Sequence, residues 1–188
     1  MTGILGGVFD PPHNGHVALA EAAVRHFDLD PLIVLVAADP GHKEPATEAW
    51  ARLRLADAAF PEYEVELDEH PYTVDAIAPD RFRDAIFIVG ADEFRDFLTW
   101  KDPDGVLERV RLGVATRPGY PMEQLRVVHE LVSHPERVQF FEIPPVPIAS
   151  AELRRRVAAR RPIDELVPAE VARVIEELGL YRSSALRG

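Results

Sequence analysis

Two histidines three residues apart, His13 and His16, close a turn that also holds Gly6, Gly7, Pro11, Pro12 and Gly15. Such a turn suits phosphate if a helix follows it. A helix N-terminus presents backbone N–H groups and the positive end of its dipole to whatever sits in the preceding loop. Gly6, Gly7 and Gly15 would let a polyphosphate approach the backbone without a Cβ in the way. His13 and His16 would point from one side of the first helical turn and donate hydrogen bonds to phosphate oxygens. The plainer reading is a glycine-rich turn with two surface histidines; the pairing of the imidazoles favours phosphate. Zinc would need further ligands, and the chain has no cysteine and no evident third donor nearby, so no protein-held metal is expected.

Other residues with chemistry in them lie further along. His42 and Lys43 sit in a loop punctuated by Pro40, Gly41 and Pro45, where a lysine could meet an anion or simply be solvated. Gly90-Ala91-Asp92 follows an apolar run and could admit a nucleotide and accept bonds from ribose hydroxyls; Asp92 could equally cap the next helix. Phe94, Phe97, Leu98 and Trp100 read first as core packing. Ser150, a natural N-cap, and Arg154, about one turn beyond it, could converge on a second anion site.

These residues need a scaffold, and the apolar runs supply one. Pro31–Ala38, Ala85–Gly90, Val110–Ala115 and Val138–Ile143 read as strands, the first two apolar enough to be buried on both faces. Ile4 and Leu5 end a first strand, Asn14–Phe27 is a helix, and Tyr63–Leu67 is a shorter strand. Thr47–Phe60 reads as a helix capped by Thr47, with Trp50, Leu53, Ala56 and Ala59 on one apolar face. Thr73 could cap a short helix, Met122–Val132 is another, and Pro168–Leu178 is the last, with Gly179 after its end and Leu180 and Tyr181 packing back on the body. The expected fold is α/β, a doubly wound, mostly parallel Rossmann-like sheet. One domain is expected over 1–188, with a helical part over roughly 150–182.

The bulk numbers narrow the partners. With 188 residues, 47% hydrophobic and 28% charged, the chain is the size and composition of one globular domain. The absence of cysteine suits a reducing compartment, and no segment approaches a membrane span, so a cytoplasmic protein without a membrane partner is expected. The net charge of −11 argues against nucleic acid and requires positive groups to be concentrated if the ligand is a polyanion.

The run Gly6-Gly7-Val8-Phe9-Asp10-Pro11-Pro12-His13-Asn14-Gly15-His16 resembles the first signature of the nucleotidyltransferase superfamily, G-G-T-F-D-P-x-H-x-G-H, departing from it at Val8. Ile148, Ser150 and Arg154 fit the superfamily's I-S-S-T-x-x-R, with Ala149 and Ala151 replacing hydroxyl residues. Pro71-Tyr72-Thr73, Phe87 to Asp92, Trp100, Arg117-Pro118-Gly119-Tyr120 and Gly179-Leu180-Tyr181-Arg182 resemble landmarks of the bacterial nicotinate-nucleotide adenylyltransferase family in particular.

The resemblance implies adenylyl transfer from ATP to nicotinate mononucleotide. It implies that Gly6, Gly7, Val8, Phe9 and Gly15 contact nucleotide, that His13, His16, Lys43 and Arg154 neutralise polyphosphate, and that Gly90, Asp92 and Ser150 complete the ATP site. Thr73, Trp100 and Arg117 would face the acceptor, with Trp100 stacking on the pyridine ring. Mg²⁺ would arrive mainly on the ATP phosphates. Nicotinamide mononucleotide or another phosphate monoester as acceptor, a nucleotide-binding relative with lost catalysis, and a homo-oligomeric assembly all stay open.

Overall fold

Six strands, all parallel, form one sheet in the order β3-β2-β1-β4-β5-β6, in a computed structural model that describes residues 1–40 and 45–182. Along the chain the elements are β1 (Gly3–Gly7), α1 (Asn14–Phe27), β2 (Leu32–Ala37), α2 (Ala49–Ala59), β3 (Glu64–Asp68), α3 (Thr73–Ala76), β4 (Ile86–Gly90) and α4 (Ala91–Arg95). They continue with α5 (Pro103–Arg109), β5 (Arg111–Thr116), α6 (Met122–Leu131), β6 (Val138–Glu142), α7 (Ser150–Ala158) and α8 (Ala169–Glu177). The winding reverses between β1 and β4, which pair through Gly3↔Ile86 to Leu5↔Ile88. A reversal point at the carboxyl ends of the strands is where an open α/β sheet offers a crevice to ligands.

Alternation along the strands divides the core in two. Leu5, Val34, Val36, Ile88 and Phe141 face α1, α2, α7 and α8, where Leu153, Val171 and Ile175 are buried against them. Ile4, Ile33, Leu35, Phe87, Leu112 and Val114 face the other side, where Phe82, Phe94, Phe97 and Leu125 cover them. Successive side chains on opposite faces, both apolar, are why the strands read as continuous apolar runs. Phe94 and Phe97 are core, as their default reading has it, whereas Leu98 is exposed.

Several expected helix caps are not caps, and for Thr47 and Ser150 the hydroxyl is engaged elsewhere. Thr47 is not the cap of α2; Glu48 holds that position, and the Thr47 hydroxyl donates to Asp10 at 2.7 Å. Ser150 is the first residue of α7, not its cap, and its hydroxyl donates to the Pro11 carbonyl at 2.8 Å. Asp92 lies inside α4, which Gly90 caps, and Thr73 lies inside α3, which Tyr72 caps. The buried face of α2 is Ala51, Arg52, Leu55, Ala56 and Ala59, leaving Trp50 55% exposed. An arginine therefore occupies the apolar stripe. At the C-terminal end the expectation holds: Gly179 has φ +62°, and Leu180 and Tyr181 pack back on the core.

Arg52 explains its own placement. It is 1% exposed, and its guanidinium donates to the carbonyls of Thr47 (3.2 Å), Val8 (3.1 Å), Ala38 (2.8 Å) and Ala37. Strand ends leave carbonyls without sheet partners, and a planar guanidinium can satisfy several at once. Burial lowers the Arg52 pKa, opposed chiefly by the charge of Asp10. Replacing Arg52 with Met should orphan these acceptors and lower the free energy of unfolding by about 3 kcal/mol. Urea denaturation checks this; a loss below about 1 kcal/mol would contradict the assigned role.

Candidate active site

The loops at the carboxyl ends of the strands collect nearly all the residues singled out by type and spacing. After β1 the chain bends sharply: Phe9, buried, has φ +51°, a left-handed conformation uncommon for an aromatic residue. The Phe9 ring lies over Gly7, where an added Cβ would come within 2.8 Å of its Cζ, and a Cβ at Gly6 would stand 3.0 Å from the Phe87 Cζ. A Cβ at Gly15 would meet the His13 ring at 2.9 Å. These three glycines thus seat aromatic rings, a packing reason that the phosphate argument alone does not contain.

His13 caps α1 and its ring stacks on that of His16, with centroids 3.7 Å apart and planes 22° from parallel. The expected common side of the first turn is therefore observed. His16 Nδ1 accepts the His13 backbone N–H at 3.2 Å, which puts the proton of a neutral His16 ring on Nε2. The Phe9 ring meets His16 edge-on at 5.3 Å and holds its plane. His13 is 7% exposed, and burial pulls its pKa from 6.5 to about 4, so at neutral pH it is an uncharged donor and not a cation. Its Nδ1 is buried without a hydrogen-bond partner among the described residues. The backbone amides of this turn are partly committed as well: that of Asn14 donates to Leu166 at 3.0 Å. The imidazoles, more than a row of amides, are what the turn offers an anion.

Asp10 joins this loop to the rest of the site. Its carboxylate is 4% exposed: Oδ1 accepts from the Thr47 hydroxyl and the Tyr181 hydroxyl, each at 2.7 Å, and Oδ2 accepts from the Ala46 N–H at 2.6 Å. Arg154 Nη1 donates to the Asp10 backbone carbonyl at 2.6 Å and stands 4.0 Å from Oδ2. With Ser150 on the Pro11 carbonyl, α7 is fixed against the histidine loop at two points. The two basic segments separated by more than 130 residues are thus brought together.

The other wall is looser. Gly90 ends β4 beside β1, and Asp92 accepts from Arg95 at 3.3 Å and from the Tyr120 hydroxyl at 3.2 Å, on the surface of the crevice. Trp100 is half-buried, edge-on to Phe97 at 5.2 Å and to Phe87 at 6.4 Å. Lys101 bridges it to the segment carrying Thr73: Nζ is 2.9 Å from Asp75 Oδ2 and lies 4.4 Å from the centre of the Tyr72 ring. Arg117 is exposed on the turn after β5. Lys43 lies outside the described residues. Among the described residues no three His, Asp or Glu side chains converge as a metal-ligand set.

Sequence reasoning passed over Asp10, Arg52, Thr47 as a bonding partner, and Tyr181 as more than packing. The available signals were an acid inside the histidine motif, an arginine at a core-facing helical position, and a tyrosine in the closing Gly179-Leu180-Tyr181-Arg182.

Comparison with known proteins agrees with this geometry. Residues 4–156 match the family described as cytidylyltransferase-like. The chain is 38% identical to a probable nicotinate-nucleotide adenylyltransferase of Moorella thermoacetica, over 96% of this chain and 91% of the relative. It is also 38% identical to one from Thermus thermophilus, over 96% and 98%. Among solved structures, the nicotinic acid mononucleotide adenylyltransferase of Plasmodium falciparum complexed with NaAD superposes with a TM-score of 0.77 at 16% identity, covering 96% of both chains, a likeness of fold.

The depressed His13 value has a measurable consequence. Below pH 6.5 the unfolded chain takes up this proton while the native state resists it until about pH 4, so stability is lost as pH falls through that window. The penalty reaches on the order of 3 kcal/mol. His13→Gln should flatten that part of the stability curve relative to wild type; parallel curves from pH 7 to 4 would contradict the buried, neutral imidazole.

Proposed function

The chain belongs to the nicotinate-nucleotide adenylyltransferases of the cytidylyltransferase-like family, and on that premise we propose that it transfers an adenylyl group from ATP to nicotinate mononucleotide, giving nicotinate adenine dinucleotide and pyrophosphate. The observation that carries the reading is the meeting of the stacked His13–His16 pair with Arg154 on one loop at the crevice.

In this reaction the acceptor's phosphate oxygen attacks the α-phosphorus of ATP, the bond from that phosphorus to the β-bridging oxygen breaks, and pyrophosphate leaves. A phosphate is already a competent nucleophile at neutral pH, so no base is needed. The protein's work is in-line placement and stabilisation of charge on the departing phosphates. His16 Nε2–H and His13 supply neutral hydrogen bonds, and Arg154 supplies the fixed positive charge and a bidentate fork. Gly6, Gly7, Val8, Phe9 and Gly15 shape the floor, Ser150 fixes α7 to it, and Gly90 and Asp92 stand where the adenosine ribose would rest. Val8 has no side-chain hydroxyl, but its carbonyl is held by Arg52, so the backbone at that position is set without one. Lys43 joins the polyphosphate group by resemblance.

Thr73, Trp100 and Arg117 form the acceptor side, with the half-buried Trp100 face available to a pyridine ring and Lys101 holding Thr73's segment beside it. The carboxylate of Asp10 is already taken up by protein donors, and Mg²⁺ would arrive on the ATP phosphates. It would screen phosphate charge when bound.

Pyrophosphate release with ATP and each acceptor in turn tests the reading. Nicotinate mononucleotide should be strongly preferred; equal use of the nicotinamide compound would contradict the acceptor, and no turnover with either would contradict the activity. His16→Ala should cut turnover by about a hundredfold or more while the fold stays intact. Near-normal activity in that variant would remove His16 from its role.

A further inference from the structure

Tyr181 is the last residue but one of the described chain, and its contact with the site is more than packing. Its φ is +59°, a left-handed conformation that is strained for a tyrosine and persists where the surroundings dictate it. Its hydroxyl reaches across the fold to Asp10 Oδ1 at 2.7 Å, and burial together with that bond pushes its pKa upward, so the phenol stays protonated and donates.

The division of labour on the Asp10 carboxylate gives this bond a function. Oδ1 is occupied by two hydroxyls, those of Thr47 and Tyr181. Oδ2 takes the Ala46 amide and faces Arg154, whose guanidinium remains 4.0 Å away and makes its close bond to the Asp10 backbone carbonyl instead. A buried carboxylate short of one donor draws in the nearest cation, because an unsatisfied charge is costly and a charge-assisted pair relieves it. Without the Tyr181 hydroxyl, that cation is Arg154.

We propose that Tyr181 is a positioning residue that keeps Arg154 turned toward the ATP phosphates by saturating the Asp10 carboxylate that would otherwise capture it; this rests on the adenylyl-transfer reading of the site. The C-terminal segment thereby becomes part of the active site without touching substrate. Thr47 shares the task from the other side of the same oxygen, so the loop after β2 and the segment after α8 act on one guanidinium through one carboxylate.

The test uses ligands that do and do not carry the phosphates Arg154 would hold. Tyr181→Phe removes one oxygen. In calorimetry with the full chain, pyrophosphate and a non-hydrolysable ATP analogue should each bind roughly tenfold more weakly, as expected for a hydrogen bond to a charged group. Nicotinate mononucleotide should bind within about twofold of wild type, since its proposed contacts lie on the Trp100 side. The effect should disappear when Arg154 is absent: Tyr181→Phe combined with Arg154→Ala should bind pyrophosphate no worse than Arg154→Ala alone. Equal weakening of all three ligands, or additive losses in the double variant, would overturn the proposal in favour of a merely structural tyrosine. Should Tyr181→Phe fail to fold, Thr47→Val, which removes the other hydroxyl on Oδ1, must show the same selective loss or the proposal falls. Wild-type protein that binds neither pyrophosphate nor the ATP analogue would contradict adenylyl transfer itself; normal wild-type binding without selectivity in the variant contradicts only the role of Tyr181.

Discussion

The architecture of the site depends on keeping one charge, the Asp10 carboxylate, almost wholly out of water. A buried carboxylate must be met by donors, and among the described residues no single segment supplies enough of them. Ala46 and Thr47 come from the loop after β2 and Tyr181 from beyond α8, while Arg154 in α7, 4.0 Å from Oδ2, and Arg52 in α2 lend balancing charge without bonding the carboxylate. Meeting the requirement of Asp10 therefore draws three distant stretches of chain to the carboxyl edge of the sheet. Loops are ordinarily the least determined part of an α/β fold, and here a charge determines them.

This constraint also sorts the cations. In a chain of net charge −11, a polyphosphate ligand calls for positive groups concentrated around it. The structure is more selective. His13 is buried and uncharged, Arg52 is consumed by backbone carbonyls, and Arg154 is anchored to the histidine loop at the Asp10 carbonyl. Neutral donors stacked on one side and a fixed guanidinium on the other give a leaving phosphate both directional hydrogen bonds and charge.

Much of the fold is legible in the sequence because its signals are local. The runs at Leu32–Ala37, Ile86–Gly90 and Arg111–Thr116 are apolar on both faces because helices cover both, and the glycine-histidine turn sits between a strand and a helix as its composition implies. What is not legible depends on partners far away in sequence. Thr47 and Ser150 have the chemistry of helix caps, and nothing near them reveals that Asp10 and the Pro11 carbonyl take their hydroxyls. Trp50 looks like core until Arg52 is seen to occupy the buried stripe of α2. Tyr181 looks like a packing residue until its hydroxyl is traced to Asp10. The glycines at 6, 7 and 15 read from the sequence as places where a Cβ cannot go, but the rings of Phe87, Phe9 and His13 supply the reason.

The central claim is that ATP phosphates lie between the stacked imidazoles and Arg154, with Asp10 keeping its protein donors throughout. A crystal structure with a non-hydrolysable ATP analogue and nicotinate mononucleotide measures this directly. Phosphate oxygens within about 3 Å of both His16 Nε2 and the Arg154 guanidinium, with the Tyr181 hydroxyl still on Asp10, are predicted. Phosphates bound away from the histidines, or Arg154 closed onto the Asp10 carboxylate while ATP is in place, would contradict it.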